Sequence, residues 1–465
     1  MSRIGILKNA WAPAGWQSCD WTNAMKSAIA ELGYGYHLVD SSSHVEPDVM
    51  FYMTRLNHNI GYKNTPALSA RLSKIATEFE EKGARLAPTS YAYRLYENKA
   101  TILNLFEKCG VNKPKTWYVE SEDQIAAIDT FPVVLKHAYS CASNYMDQAR
   151  NKKEYEKKIR NFLIEHGSCI VQQKISFTKE ARVTYVGDKA IHGYYRVKPD
   201  SDSLSASTKF GSIVDFDIDL EAMSGVVKEF RNKTNINIAA FDVVWDSDDE
   251  STEPYFFEVS PIFSMNVPGP VGKAYKSFKG TPEFKRLEKN IQQKYYKETI
   301  QFYIDKLKLP TIYCDIDYTI NNHVPRVKKW TRDGQINPKY GHYDEIMLDP
   351  PNLQAREILN SIKNKYRIVF LTARGNFPQA YLSTRDWLIN NNFHYDQIIV
   401  VNNFEDKLKT LLEDNKTHLF IDDLTRGHHT DKIEIVKENV RKLYYNNIPF
   451  IRYDNNWEKI SALCQ

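Results

Sequence analysis

Thr311-Ile-Tyr-Cys-Asp-Ile-Asp-Tyr-Thr-Ile320 is the stretch on which the reading of this chain turns. The apolar run after Pro310 predicts a buried strand. Asp315 and Asp317 stand two residues apart at its C-terminal end, with Thr319 behind them. Open parallel sheets carry their chemistry at the carboxyl ends of strands, and side chains at i and i+2 leave a strand in the same direction. Two carboxylates so placed can hold Mg²⁺ and can attack or protonate a phosphate ester. An Asp-rich turn after a core strand would look the same in isolation, so the strands downstream decide between the two.

Tyr366-Arg-Ile-Val-Phe-Leu-Thr-Ala-Arg374 predicts a second apolar strand ending in a hydroxyl, Thr372. Phe404-Glu-Asp-Lys-Leu408 then supplies a cation at Lys407, and His418-Leu-Phe-Ile-Asp-Asp423 predicts a third buried strand ending in paired acids. Continuous apolar runs of this kind are what parallel strands show. The order acid pair, threonine, lysine, acid pair resembles the haloacid dehalogenase superfamily of phosphotransferases, over about residues 308–465. The resemblance implies a Rossmann-like domain with a small cap. It makes Asp315 the nucleophile that forms an aspartyl-phosphate and Asp317 the acid/base. Thr372 and Lys407 would hold phosphoryl oxygens, and Asp422 and Asp423 would complete an Mg²⁺ site with Asp315 and Asp317. A dianionic phosphate needs such cations and donors as a carboxylate attacks it. Tyr318 departs from the family, which usually has Gly there. The segment Asn321–Asn352, with Arg326, Lys328, Lys329, Trp330, Arg332 and His342, reads either as that small cap, leaving the site open to a bulky substrate, or as a basic surface loop.

Working outward, residues 1–90 alternate strands (Arg3–Leu7, Tyr36–Val39, Asp48–Met53) with helices (Asp20–Leu32, Ala67–Lys82), the pattern of a small α/β unit. No Gly-x-Gly-x-x-Gly occurs, so there is no dinucleotide fingerprint. Residues 91–300 are α+β. A helix over Tyr96–Gly110 carries Lys99 in its first turn, and a strand over Phe131–Lys136 ends in Lys136 before a small polar loop, His137–Asn144. Cys169–Ile175 is a further strand, Glu180–Gly187 and Ala190–Val197 form a hairpin bearing Arg182 and Arg196, and Ile236–Trp245 with Tyr255–Val259 present Asp242 and Glu258. Singly, each of these charges reads as a solvated strand end. Together, cations for phosphates and acids for a metal that prefers oxygen ligands are the equipment for Mg-ATP.

These residues resemble the ATP-grasp superfamily, in particular its carboxylate–amine ligases, over about residues 1–300, including the run Pro88-Thr89, Lys99, Gly110-Val111 and Pro114-Lys115-Thr116. The resemblance implies an ATP-grasp domain over 91–300 preceded by the small α/β subdomain. Lys99 and Lys136 would bind ATP phosphates. Gln172, Gln173 and Ile175 would belong to the adenine hinge, and Arg182 and Arg196 would contact phosphate or an acyl-phosphate. Asp242 and Glu258 would hold Mg²⁺. Two departures stand out. The loop after Lys136 lacks the family's glycines, leaving Ser140, Ser143 and backbone amides to cradle phosphate. The family's Glu-x-Asn is Glu258-Val-Ser260, so Ser260, or Asn266 nearby, takes the place of the Asn.

A net charge of +4 on 465 residues gives no argument for nucleic acid or an anionic membrane surface, and 42% hydrophobic with 26% charged residues is ordinary for a globular chain. The six cysteines (Cys19, Cys109, Cys141, Cys169, Cys314, Cys464) are scattered without Cys-x-x-Cys spacing, which fits a reducing cytoplasm. No run approaches the roughly 20 apolar residues of a membrane span. The helix from Pro282 to Leu307 joins the two regions, its lysines and arginine read as a solvated face. The combined expectation is a bifunctional enzyme using ATP and Mg²⁺. It would join a small-molecule carboxylate to an amine through an acyl-phosphate and hydrolyse a phosphomonoester, one of the partners being phosphorylated. Alternatives are an ATP-grasp kinase with a phosphatase, a nucleic-acid end-processing phosphatase, and an ATP-binding module with only the phosphatase active.

Overall fold

The computed structural model describes residues 2–8, 17, 19–54, 66–96, 98–139, 145–200, 203–207, 210–261, 281–333, 335–425 and 433–464, with the backbone alone for 66–69 and 433. The chain divides into two compact units, residues 1–79 with 84–302, and residues 80–83 with 303–465. None of its described helices is long and apolar enough to cross a membrane.

The first unit holds three sheets. Strands β1 (Arg3–Leu7), β2 (Gly35–Val39), β3 (Val49–Thr54) and β4 (Leu86–Ala87) form a parallel sheet in the order β2-β1-β3-β4. Helices Asp20–Glu31 and Pro66–Glu81 supply the crossovers that parallel pairing demands. Strands β5 (Thr116–Val119), β6 (Val133–Lys136), β7 (Met146–Ala149) and β8 (Cys169–Gln173) pair antiparallel as β5-β8-β6-β7. Strands β9 (Lys179–Val186), β10 (Lys189–Val197), β11 (Ile213–Asp215), β12 (Ile238–Val244) and β13 (Tyr255–Ser260) make a five-stranded antiparallel sheet, β11-β10-β9-β12-β13. One face of that last sheet is apolar. Val183, Tyr185, Phe241 and Phe256 pack there against Val227 and Phe230 of helix Leu220–Thr234 and Phe106 of helix Lys99–Cys109.

The helix predicted over Tyr96–Gly110 begins later, at Lys99. The reason is local: Asn98 accepts a hydrogen bond from Thr101 N–H on its side-chain oxygen (3.1 Å) and so caps the helix there. At the other end Gly110 takes φ +63°, the left-handed turn that ends helices.

The second unit is built on one parallel sheet. After helix Pro282–Lys308, Pro310 leads into β14 (Thr311–Cys314). A two-stranded hairpin, β15 (Thr331–Arg332) and β16 (Gln335–Ile336), comes next, then β17 (Arg367–Thr372), β18 (Gln397–Val400), β19 (Thr417–Asp422) and β20 (Phe450–Arg452). The order is β18-β17-β14-β19-β20, every pair parallel. All of β14 and β17 is buried, which is why both read as unbroken apolar runs. Ile312, Phe370 and Ile421 face a core with Trp387 and Trp457, while Tyr313, Val369 and Phe420 face a second core with Leu411 and Leu443.

The segment 321–352 is not a basic surface loop. Helix Val324–Trp330, the hairpin and a short helix Tyr343–Ile346 fold it, and Arg326 is only 3% exposed.

Candidate functional site

In the second unit, register brings three strand ends together. Cys314 pairs with Phe370 on one side and Ile421 on the other, so Asp315, Thr372 and Asp422 leave the sheet at the same edge. Lys407 rises from helix Phe404–Glu413, whose start is capped by Asn403 accepting from Asp406 N–H (2.9 Å). Its ammonium donates to Asp315 Oδ1 and to Asp422 Oδ2, 2.7 Å each. Asp423 completes a group in which Asp315, Asp422 and Asp423 each offer an oxygen within 4.8 Å of the others.

Among the described residues the charge balance at this edge is lopsided, with three buried carboxyls around one ammonium. Burial pushes the Asp315 carboxyl up, against the pull of Lys407 and with the push of Asp422 and Asp317. Asp423 is raised to about 6, by burial and then by Asp315. Asp422 is raised too, burial outweighing Lys407, while Lys407 is held firmly charged because Asp315 and Asp422 outweigh its own burial. A compact set of hard oxygen donors short of positive charge fits a divalent cation such as Mg²⁺.

Asp317 does not join that group. Arg374 grips its carboxylate with two hydrogen bonds of 2.7 Å, Nε to Oδ2 and Nη2 to Oδ1. Arg326 Nη2 adds one of 3.0 Å, and Asn321 Nδ2 one of 3.2 Å. Burial would raise this carboxyl, but Arg374 and then Arg326 hold it well below the usual carboxylate range. Expected from the sequence as a metal ligand beside Asp315, Asp317 here has its oxygens on Arg374, Arg326 and Asn321, outside the group of Asp315, Asp422 and Asp423. As an acid it has no proton to give in this arrangement.

Arg374, Asp349 and His323 join the site without being expected from the sequence, and Arg326 reads there only as a basic residue of the cap segment. Asp349 accepts from Arg326 Nε (3.0 Å) and Asn321 Nδ2 (2.9 Å), and the buried His323 lies 3.7 Å from Asp317. Arg374 carries a signal, standing two residues beyond Thr372. Gly375 after it is obligatory: its N–H donates to Val401 O at 2.8 Å, and a Cβ there would meet the same oxygen at 2.9 Å. Tyr318, at the position where the resembled family carries Gly, takes φ +67°, held by its N–H on Asn321 Oδ1 (2.8 Å). A bulky residue in that region is strained by about 1–2 kcal/mol.

In the first unit the site arises by cross-strand pairing. Arg182 lies opposite Asp242 across β9 and β12, Arg196 opposite Glu180 across β9 and β10, and Asp242 opposite Glu258 across β12 and β13. Arg182 Nη1 donates to Asp242 Oδ2 (2.9 Å), and Arg196 ion-pairs with Asp242 (2.5 Å) and with Glu180. Burial alone would raise Asp242, yet the two guanidiniums keep it below the ordinary range. Glu180, which sequence reasoning missed, goes the other way, burial outweighing Arg196.

The other four-stranded sheet contributes Lys136 from the end of β6. Its ammonium donates to Gln172 Oε1 at 2.5 Å and lies 4.9 Å from the centre of the Phe257 ring, so it reaches the five-stranded sheet. Burial, and next the charge of Lys99, lower it to about 8. Lys99 lies 3.8 Å from Glu258. Gln172 also donates to Thr116 Oγ1 (3.2 Å), Gln173 ends β8, and Ile175 is buried against Phe177, Tyr255 and Phe257. Ser260 is buried at the end of β13. Ser140, Ser143 and Asn266 lie outside the described residues. The structure thus brings Lys99, Lys136, Gln172, Arg182, Arg196, Asp242 and Glu258 into one charged cluster of the first unit. Asp242 and Glu258 stand opposite one another on β12 and β13, Asp242 held by Arg182 and Arg196 and Glu258 beside Lys99.

No family model and no curated protein matches the chain. Among solved structures it is similar to a RimK-domain ATP-grasp protein from Sphaerobacter thermophilus, at 14% identity over 64% of this chain and 98% of that one, with a TM-score of 0.41. It is also similar to D-alanine–D-alanine ligase from Bacillus anthracis (13%, 66% and 97%, TM-score 0.39). A third is a RiPP-associated ATP-grasp ligase from Chryseobacterium gregarium, solved with ADP and a leader and core peptide (15%, 65% and 97%, TM-score 0.40). Similarity of this size carries no argument about substrate or reaction, which rest on the side chains.

Proposed function

We propose that the chain is a bifunctional enzyme with domains at 1–90, 91–300 and 308–465, joining a carboxylate to an amine at the expense of ATP in the first unit and hydrolysing a phosphomonoester in the second. The observation that carries the second activity is the Lys407 ammonium held between Asp315 and Asp422 at 2.7 Å, with Asp423 beside them.

In the second unit the Asp315 carboxylate attacks phosphorus and the ester oxygen leaves, giving an aspartyl-phosphate; water then attacks phosphorus and releases phosphate and free Asp315. Lys407 offsets the charge that builds on the phosphoryl oxygens, and Thr372, the last residue of β17, would donate to one of them. Mg²⁺ held by Asp315, Asp422 and Asp423 would supply further charge stabilisation. The leaving oxygen needs a proton. Once Arg374 and Arg326 turn from it to an incoming dianionic phosphate, Asp317 takes a proton from solvent and gives it to the leaving oxygen, and the carboxylate so formed takes the proton of the attacking water in the second step.

In the first unit, Lys99, Lys136, Arg182 and Arg196 hold the phosphates, and Asp242, Glu258 and Ser260 would hold Mg²⁺. A substrate carboxylate attacks the γ-phosphorus, ADP leaves, and an amine displaces phosphate from the acyl-phosphate. Holding acid and amine together supplies the proximity on which amide formation depends. One partner carries a phosphate ester that the second unit removes.

The test scores ADP and phosphate separately, with Mg-ATP and a panel of carboxylates with plain or phosphorylated amines. ADP appearing only with acid and amine together is expected, and phosphate in excess of ADP should vanish in Asp315→Asn. If that variant still releases the excess phosphate, the phosphatase reading is wrong. If ADP never appears, the ligase reading is.

A further inference from the structure

We propose that Lys198 is an anion-binding residue of the first unit's charged cluster, taking a phosphate oxygen of a bound nucleoside polyphosphate; this rests on reading that cluster as an ATP site. Lys198 is only 6% exposed. Its backbone N–H donates to Thr178 O (2.8 Å), which carries the β9–β10 ladder one step past Val197. Residues two apart on a strand share a face, so Lys198 stands on the face that bears Arg196, Glu180, Arg182 and Asp242.

Its ammonium lies 3.7 Å from the centre of the Phe177 ring. Phe177 meets Phe257 edge-on at 5.6 Å, and Phe257 carries Lys136 on its own ring. Two touching rings therefore bear two ammoniums, one from each sheet of the cluster.

Counting charges shows what is missing. Asp242 and Glu180 are taken up by Arg182 and Arg196, and Glu258 faces Lys99. Lys136 and Lys198 remain, and among the described residues neither has a carboxylate within ion-pair distance. Burial, then the nearby Lys174, disfavour charge on Lys198, outweighing the more distant pull of Glu180, Asp248 and Asp200. A buried ammonium costs several kcal/mol unless it is paired. A cation–π contact offsets part of that. A cluster with two such cations calls for a ligand bringing more than one negative charge, and the aromatic pair beneath them suits a molecule with a flat apolar part.

The experiment uses the full chain and measures affinity for Mg-ATP and for inorganic tripolyphosphate by calorimetry, in wild type, K198M, K198Q and K198R. Met and Gln keep the stem over Phe177 and remove the charge. K198M and K198Q should weaken both ligands about 10- to 100-fold, the size of one charge-assisted hydrogen bond. K198R should recover most of that loss, and the apo melting temperature of K198M should not fall. Wild-type affinity for Mg-ATP in both K198M and K198Q overturns the proposal and leaves the ATP reading intact. If wild type binds tripolyphosphate but not ATP, and K198M and K198Q lose it, the anion site stands and the nucleotide reading falls. If wild type binds neither, both fall.

Discussion

The two candidate sites are mirror images in charge. In the first unit Asp242, Glu180 and Glu258 are spoken for by arginines and a lysine, and among the described residues two ammoniums, Lys136 and Lys198, stand on aromatic rings with no carboxylate within ion-pair distance. In the second, one ammonium serves three carboxyls, and the excess is negative. On the proposed reading the first arrangement takes an anion and the second a cation. The topologies differ in step with this. A parallel sheet gathers strand ends from short, separate motifs at one edge. An antiparallel sheet assembles a charged face from residues opposite one another across strands.

The largest effect that would break this contrast is in catalysis. If the excess carboxyls exist to work on phosphorus, Asp315→Asn should lower phosphomonoester hydrolysis on the order of 10³-fold or more. ADP formation with Mg-ATP, acid and amine should persist, as the first unit's charges are untouched. Parallel assays of phosphate and ADP check this. Equal loss of both activities would mean that the two sites are not independent.

Next comes stability. Asp242 is the carboxylate that two buried guanidiniums share; without it Arg182 would be stranded and Arg196 left with Glu180 alone. Asp242→Leu should therefore cost about 3–5 kcal/mol, the usual penalty for removing one partner of a buried pair. Asp423→Leu should cost less or even stabilise in the absence of divalent cations, because it removes one of three crowded acids. Denaturant unfolding of both variants in EDTA compares them. A similar cost for both would erase the difference in charge balance.

The opposite pole of the second unit's sheet gives a pH test. His394 is buried, and burial lowers it to about 4 against the pull of Asp396, whose carboxylate stands 3.5 Å from its Nε2. Lys306 and Lys363 push in the same direction as burial. An unfolded histidine titrates near 6.5. The folded value is depressed, so protonation favours the unfolded chain: the contribution is intact above pH 6.5 and is lost as pH falls towards 4. The loss should approach about 3 kcal/mol, at 1.36 kcal/mol for each pH unit between the two values. Thermal unfolding between pH 7 and 4 should show this slope in wild type and a shallower one in His394→Leu. An identical slope in the variant would assign the acid sensitivity to the carboxylates instead.

Legibility in the sequence divides along the same line. Asp315, Lys407, Asp422 and Asp423 were legible because each follows or faces a buried apolar run, and a parallel sheet converts that order into proximity. Arg374 and Arg326 were not. Their partner is Asp317, and whether a carboxylate points to a metal or to a guanidinium depends on rotamers, which no spacing encodes. In the first unit Arg182, Arg196, Asp242 and Glu258 were found by their place on strands, but their mutual pairing depends on register. Glu180 and Lys198 look like solvated charges at the start and end of hairpin strands. Only the register shows that both lie on the face of the charged cluster.

The smallest predicted effect separates two lysines that begin alike. Lys99 and Lys407 each sit in the first turn of a helix whose start is capped by an asparagine, Asn98 or Asn403. A cation there opposes the helix dipole, so local helix physics does not select it. Removing either cap should cost about 1 kcal/mol of stability. The functional consequences should differ. Lys407 is buried and gripped by two carboxylates at 2.7 Å, so Asn403→Ala should leave phosphate release within about twofold, since the ion pairs hold the ammonium whatever the cap does. Lys99 reaches one carboxylate at 3.8 Å, and its backbone N–H donates to Ala138 O at 2.9 Å, two residues beyond Lys136. Loosening that turn disturbs both lysines, so Asn98→Ala should weaken Mg-ATP binding by about three- to fivefold, more than its stability cost alone would suggest. Calorimetry for ATP and phosphate release for the second unit, each beside a melting curve, read the two variants. Equal functional losses at equal stability would mean that the caps, and not the ion pairs, set where these ammoniums stand.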